Sequence, residues 1–336
     1  TVALQVLRLR PRTAWIPRIS AVLALNVAGR TGIRRGIRMT NKQVGTIDRL
    51  ELTVLIENAP AYDTYLEGCF GLSLWLDMMQ RSTRRRVLFD VGPRTDTLER
   101  NARSLGIDLS TVDAIVLSHC HFDHTAALAG LLKSLERPVP VFGHPDLFRP
   151  NFVLTPGFMD YAMNGQNSKA NLENVGARFV LSRDPIEPYP GLVLTGEVEH
   201  TTPFEEEGGV SCFTTDANGR LVPDRLQDDV SAVLTIRDVG ALILSGCGHA
   251  GIVNIVRHSK TLAPGGMIAG IIGGFHLLQA SLERTEQTIA AFKELAPDLH
   301  VLAPMHCTGL RPSAMMATAF EDAFRELHVG DKIVFG

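Results

Sequence analysis

Between residues 119 and 124 the chain sets three imidazoles and a carboxylate: His119, His121, Asp123 and His124, in the run Ser118-His119-Cys120-His121-Phe122-Asp123-His124. The run follows Ala114-Ile115-Val116-Leu117, an apolar, β-branched stretch that reads as a buried strand, and a helical pattern over 124–135 begins at once. Chain leaving a strand is still extended, so side chains two residues apart project to the same side, and His119 and His121 converge on one point. Asp123 and His124 then fall at the helix start, turned toward a second point. Neutral imidazole and carboxylate are suitable donors for zinc at ~2.0–2.2 Å. No simple structural role needs this density of ligand-type groups, so metal binding is the chemistry to expect.

The surrounding chain has the elements to position such a group. Strand-like runs lie at 52–56, 72–76, 87–91, 114–117, 139–142, 178–181, 192–195, 230–236, 241–244, 267–272, 301–303 and 332–335, mostly bounded by Gly, Pro, Asp or Asn. Helix-like segments lie at 95–105, 124–135, 252–262, 282–295 and 313–327; in the fourth, Ile289, Phe292 and Leu295 recur every three residues and give one apolar face. The stretch 145–192 is rich in Asn, Gly and Pro and weakly periodic, as expected of an inserted segment over a site. Two mixed β-sheets packed together with helices outside, an αββα sandwich, use these elements well. Residues 46–336 are expected to form that single domain.

Composition narrows the class. The chain has 336 residues, 45% hydrophobic and 21% charged, an ordinary globular balance. No apolar run approaches the ~18 residues of a membrane span. Eight arginines and no acid precede Met39. Without those eight, 25 basic against 36 acidic residues remain, so the body is acidic and nucleic acid is not expected as a partner. The arginine-rich leader, taken as residues 1–45, is expected outside the core. It reads either as a targeting segment or as an upstream extension with Met39 the start. The five cysteines, Cys69, Cys120, Cys212, Cys247 and Cys307, are odd in number and widely spaced, which favours a reducing, cytoplasmic setting. Organelle targeting or export is the alternative if the leader is genuine.

The H-x-H-x-D-H run resembles the signature of the metallo-β-lactamase superfamily, and the resemblance extends over 50–336. Asp90, in Leu88-Phe89-Asp90-Val91-Gly92, matches the earlier strand-end aspartate that supports the histidine loop through hydrogen bonds. His249, in Ser245-Gly246-Cys247-Gly248-His249-Ala250-Gly251, and His306, in Met305-His306-Cys307-Thr308-Gly309, each follow a strand, where α/β sites gather their groups. Together with Gly273-Gly274-Phe275-His276-Leu277, these runs are similar to the branch of dihydropterin ribofuranosylaminobenzene-phosphate synthases and their hydrolase relatives. Cys247 stands where many members carry a metal-bridging aspartate after glycine. A buried residue without a metal role is the preferred reading for Cys247, and a thiolate ligand is the alternative.

The resemblance implies a zinc-dependent hydrolase with two metals per chain, one held by His119, His121 and His249 and the other by Asp123, His124 and His306. Metal-activated hydroxide would attack an ester, lactone or phosphoester. Manganese or iron is the alternative metal, although His121 stands where a di-iron redox site would favour glutamate. Asp123 is also expected to orient the nucleophile, and His276 to donate a proton or hold the substrate. Thr308, Gly309 and Arg311 open a helix whose free amides suit a phosphate, so the small-molecule substrate is expected to tolerate a phosphoryl group. A synthase-like transferase joining a pterin-type substrate to a phosphorylated partner is the second reading, and a non-catalytic metal-binding module the third. His200 is a lesser candidate ligand. His144, His258, His300 and His328 are read as ordinary surface or core residues.

Overall fold

The structure, a computed structural model, describes residues 44–154, 157–206 and 212–336. The arginine-rich leader lies outside these, except for Val44 and Gly45. Those two already touch the domain: Val44 packs on an apolar cluster, and the Gly45 amide donates to Glu187 Oε1 at 2.9 Å.

Two mixed sheets face each other. The first has seven strands in the order Lys332–Phe335, Arg49–Ile56, Ser73–Gln80, Thr83–Phe89, Ala114–Val116, Val139–Gly143 and Ala177–Leu181. It is antiparallel as far as Thr83–Phe89 and parallel beyond. The second has six, ordered Val301–Met305, Ile268–Gly274, Gly240–Ser245, Ala232–Ile236, Leu192–Leu194 and Ile186–Tyr189. Here the first three are mutually parallel and the rest antiparallel.

Period-two alternation divides each strand between two cores. In the first sheet Leu74, Leu76, Phe89 and Val116 meet Leu234, Leu242, Leu244 and Ile272 of the second. Their neighbours Leu88, Ile115 and Leu117 turn outward to Leu98, Leu131 and Leu132 of the helices Thr95–Ser104 and Leu128–Leu135. On the other side Ile243 and Ile271 meet Ile252, Val256, Phe292 and Met316 of the helices Ile252–Leu262, Leu282–Leu295 and Leu310–Ala319. The result is the αββα sandwich expected from the sequence.

Both parallel halves end on one side, and that arrangement makes the site. Asp90 follows Thr83–Phe89, His119 lies just beyond Ala114–Val116, Cys247 beyond Gly240–Ser245, His276 beyond Ile268–Gly274, and His306 follows Val301–Met305. The carboxyl ends of parallel strands from two sheets thus deliver side chains to one edge of the sandwich.

Three local expectations change. The stretch 145–192 is not one irregular insertion, because Ala177–Leu181 extends the first sheet and Ile186–Tyr189 edges the second. Both are short edge strands, four or five residues long. Within the remainder, Phe152–Val153 and Met159–Asp160 join Cys212–Thr215 and Leu221–Pro223 in a small four-stranded sheet. The last helix is Leu310–Ala319 rather than 313–327. Its amphipathic pattern continues, but strand Val301–Met305 captures the chain beyond it: Leu302 N donates to Ala323 O, and Arg325 N to Leu302 O.

Phe89 is fully buried between the sheets and directly precedes Asp90. Phe89→Ala is expected to destabilise the metal-free protein by ~3–5 kcal/mol in denaturant titration. Tyr62 is 99% exposed, and Tyr62→Ala is expected to stay within about 0.5 kcal/mol of the parent. Equal effects would mean that the inter-sheet core is misassigned.

Candidate metal centre

Asp90 adopts φ +57°, a left-handed conformation that aspartate tolerates better than most residues. The turn aims its fully buried carboxylate back at the histidine loop. Oδ1 accepts the Ser118 amide at 2.7 Å, and Oδ2 accepts the Ser118 hydroxyl at 2.7 Å and faces His124 Nδ1 at 2.7 Å. Because Ser118 Oγ donates to Asp90, it accepts from His119 Nδ1, 2.9 Å away. On the opposite strand end, His306 Nδ1 faces Asn58 Oδ1 at 3.0 Å, and the His306 amide donates to buried Glu57 at 2.7 Å. In three histidines Nδ1 is therefore engaged and Nε2 is left to face inward, the usual way an outer partner fixes a ligating tautomer.

The inward atoms form two groups. His119, His121 and His249 make one; Asp123, His124, Cys247 and His306 make the other, and within each group the donor atoms all lie within 4.8 Å of one another. In the first group, His119 Nε2 and His249 Nε2 are buried without a hydrogen-bond partner. In the second, His124 Nε2 lies 3.1 Å from Cys247 Sγ, 3.3 Å from His306 Nε2 and 3.6 Å from Asp123 Oδ2, and His306 Nε2 lies 3.1 Å from Asp123 Oδ2. Donors placed ~2.1 Å from a common centre at tetrahedral angles are ~3.4 Å apart, so these separations fit a four-coordinate ion. Two stacked sets of N, O and S donors with orphaned imidazole nitrogens fit transition metals of the zinc type.

The two groups differ in charge. Burial, and then the neighbouring histidines, press His119 and His249 well below the usual imidazole range; burial likewise lowers His121 to about 4. The first group is thus a set of neutral lone pairs. In the second, burial opposes charging, but the Asp123 and Asp90 carboxylates outweigh it and raise His124 to about 9. Burial also opposes ionisation of Asp123, yet His124 and His306 hold it below the ordinary carboxylate range. Burial drives the Cys247 thiol upward.

The remaining expected residues are placed differently. Cys247, expected to have no metal role, supplies one of the four donor atoms of the second group. His276 is exposed at φ +49° and packs at a tilt against His249, with ring centroids 4.2 Å apart; it belongs to neither donor group. Thr308 is fully buried, and its hydroxyl accepts the Phe275 amide at 3.0 Å, so it braces the loop that carries His276. Arg311 stands exposed on the first helical turn after Gly309. His200 belongs to neither group.

Two aromatic neighbours escaped the sequence reading. Tyr161, beside the short strand Met159–Asp160, packs on His121 at 5.1 Å, and half-exposed Phe70 packs on His306 at 4.8 Å. Both lie in loops without periodicity, where single aromatics carry no positional signal.

A family model for the metallo-beta-lactamase superfamily matches residues 68–265. The chain is 33% identical over 294 residues, 87% of its own length and 99% of the relative's, to 7,8-dihydropterin-6-methyl-4-(beta-D-ribofuranosyl)-aminobenzene-5'-phosphate synthase of Methanocaldococcus jannaschii. It resembles the crystal structure of a metal-dependent hydrolase of the beta-lactamase superfamily with a TM-score of 0.67 and 24% identity, covering 84% of this chain and 98% of that one. Zinc-bound PqqB from Methylobacterium extorquens follows the same fold at a TM-score of 0.50 and 13% identity, covering 84% of this chain and 99% of that one.

The charge difference predicts distinct proton linkage. Between pH 6 and 8 the first group carries no proton to displace, so its metal affinity should be nearly flat. His124 is protonated below about 9, so metal entering the second group must release its proton, and affinity there should rise with pH. Calorimetric zinc titrations in buffers of different ionisation enthalpy read this directly; two equivalents with the same proton release would refute the division.

Proposed function

The chain belongs to the metallo-beta-lactamase superfamily, and from that premise we propose that it is a metal-dependent hydrolase acting on an ester, lactone or phosphoester of a small molecule. The observation that carries the reading is the pair of adjoining donor groups, one of three neutral imidazoles and one of Asp123, His124, Cys247 and His306. His119, His121 and His249 would hold one metal, and the second group the other. Zinc in both positions suits the donor set, with manganese or iron as substitutes. When bound, such ions supply Lewis acidity and a water acidic enough to act as a nucleophile at neutral pH.

The chain's own residues then do the following. Asp90 and Ser118 keep the nitrogens of His119 and His124 pointed inward. Asp123 Oδ2, beside both His124 and His306, accepts a proton or hydrogen bond from the attacking water and so orients it. His276, exposed against His249, holds the leaving group or returns a proton to it. Tyr161 and Phe70 offer apolar faces on either donor group against which the organic part of the substrate can lie. The exposed Arg311 after Gly309 remains the candidate for a phosphoryl group.

The second reading, a synthase-like transferase, is favoured by one observation: the 33% identical synthase relative aligns over almost its whole length. The same donor groups would serve, with a pterin-type substrate and a phosphorylated partner in place of water. A panel of lactone, ester and phosphodiester substrates, run beside a pterin alcohol with a phosphorylated arylamine, separates the two by product.

Elemental analysis of protein purified without chelators is expected to find about two transition-metal ions per chain. Asp123→Ala should lower kcat by ~10²-fold on whichever substrate turns over, with the fold retained, as for loss of a preorganised polar group. Near-normal turnover in that variant would show that Asp123 does not touch the reacting water.

A further inference from the structure

Between strands Leu221–Pro223 and Ala232–Ile236 the chain crosses from the small sheet to the second large sheet. That crossing carries three buried carboxylates, Asp224, Asp228 and Asp229, to which the reading above gives no role. It is tightly shaped: Leu226 sits at φ +49°, a conformation leucine avoids, and the Asp229 amide donates back to Leu226 O at 3.1 Å.

The partners of this loop are specific. Asp228 Oδ2 accepts the backbone amide of Cys120 at 2.8 Å, and Cys120 is the residue between His119 and His121. Asp229 Oδ2 accepts the backbone amide of Ala250 at 2.8 Å, the residue after His249. The Val230 amide then donates to Ser118 O at 2.8 Å. Three consecutive residues thus bond to the two loops that supply the three-histidine group. A bond to a backbone amide fixes the ribbon itself, and with it the origin of the ligating side chain, which no rotamer change can compensate.

The charge on Asp228 is provided for. Its other oxygen lies 2.7 Å from Arg149 Nη2, and Arg149 Nε lies 2.7 Å from Asp224 Oδ2, which also accepts Asn151 Nδ2 at 2.8 Å. Pairing with a guanidinium offsets part of the cost of burying a carboxylate. Arg149 thus bridges Asp228 and Asp224 beside the Cys120 amide.

We propose that Asp228 and Asp229 are positioning residues, a two-pronged clamp that sets the distance between the His119/His121 loop and the His249 loop. This rests on the reading that those histidines hold a metal. The clamp complements Asp90: Asp90 orients the rings of His124 and, through Ser118, His119, whereas Asp228 and Asp229 hold the backbone of the loops that carry the first group.

The test is titration of the metal-stripped full chain with Co²⁺ alone, with His119→Ala marking which equivalent belongs to the three-histidine group. Asp228→Ala and Asp229→Ala should each weaken that equivalent tenfold or more and leave the other unchanged. Asp228→Asn, which keeps an oxygen for the Cys120 amide while giving up the charge, should retain most of the affinity even though its melting temperature falls. A purely structural role would lower the melting temperature of all three and leave cobalt affinity alone. Should Asp228→Ala fail to fold, Asp229→Ala, which breaks no ion pair, carries the same test. Wild-type affinity for both equivalents in the alanine variants overturns the clamp, as does equal weakening by Asp228→Asn and Asp228→Ala. A parent protein that takes up no cobalt would instead sink the metal reading, and the clamp with it.

Discussion

The buried carboxylate of Asp90 is held by the amide and hydroxyl of Ser118 and the ring of His124. A carboxyl group so enclosed is stable only while these partners stay in place, and they stay in place only while the ends of two adjacent parallel strands keep their register. Strand Thr83–Phe89 must end where Asp90 can turn into the left-handed conformation, and strand Ala114–Val116 must deliver Ser118 opposite it. Everything inward of that contact follows: the tautomer of His119 through Ser118, that of His124 directly, and the convergence of both with side chains arriving from the second sheet.

The two donor groups adjoin yet solve opposite electrostatic problems. His119, His121 and His249 are kept neutral by burial among one another, so each presents a lone pair without competition from protons. Around His124 the carboxylates Asp90 and Asp123 outweigh the same desolvation and favour a charged ring until a cation replaces its proton. Negative charge is therefore concentrated on one half of the centre and lone pairs on the other. A pair of cations placed there would be bound unequally, one neutralising acidic ligands and one held by neutral nitrogens. Such inequality lets one ion be exchanged while the other keeps the loops together.

Legibility in the sequence followed how local each signal was. His119, His121, Asp123 and His124 share one strand-to-helix turn, so their convergence is written in spacing alone. His249 and His306 are far away in the chain, and only the repeated form of strand, small-residue loop and histidine pointed to them. The inter-sheet core was readable because strands such as Gly240–Ser245 are apolar throughout. Ile186–Tyr189 and the small sheet were not, because strands of two to four residues are too short to show a period. Helix Leu310–Ala319 ended early for a non-local reason, the hydrogen bonds that Leu302 makes with residues 323 and 325. Spacing gives Asp228 and Asp229 no role; what they do depends on which backbone amides the fold brings to them.

At Cys247 geometry and residue type point to different uses. Buried cysteine is common as a small apolar filler, and the sequence alone favoured that use. Yet Sγ lies 3.1 Å from His124 Nε2, at the spacing of two donors on one ion, and Gly246 permits the approach. A β-carbon on Gly246 would fall 2.1 Å from Ser118 Oγ and push the loop away from the histidines. The thiol is raised by burial, so a free thiolate would be unfavourable there, and the group becomes a good anion only when a cation replaces its proton. Thiolate in place of carboxylate would leave the charge count of the second donor group unchanged and make that group softer. Such a group prefers zinc or ferrous iron to magnesium or calcium, and its single donor atom bridges two ions less readily than the two oxygens of a carboxylate. With the clamp proposed for the His249 loop, Gly246 and Cys247 would belong to one arrangement, in which the two halves of the centre are held separately by the protein rather than by a shared carboxylate.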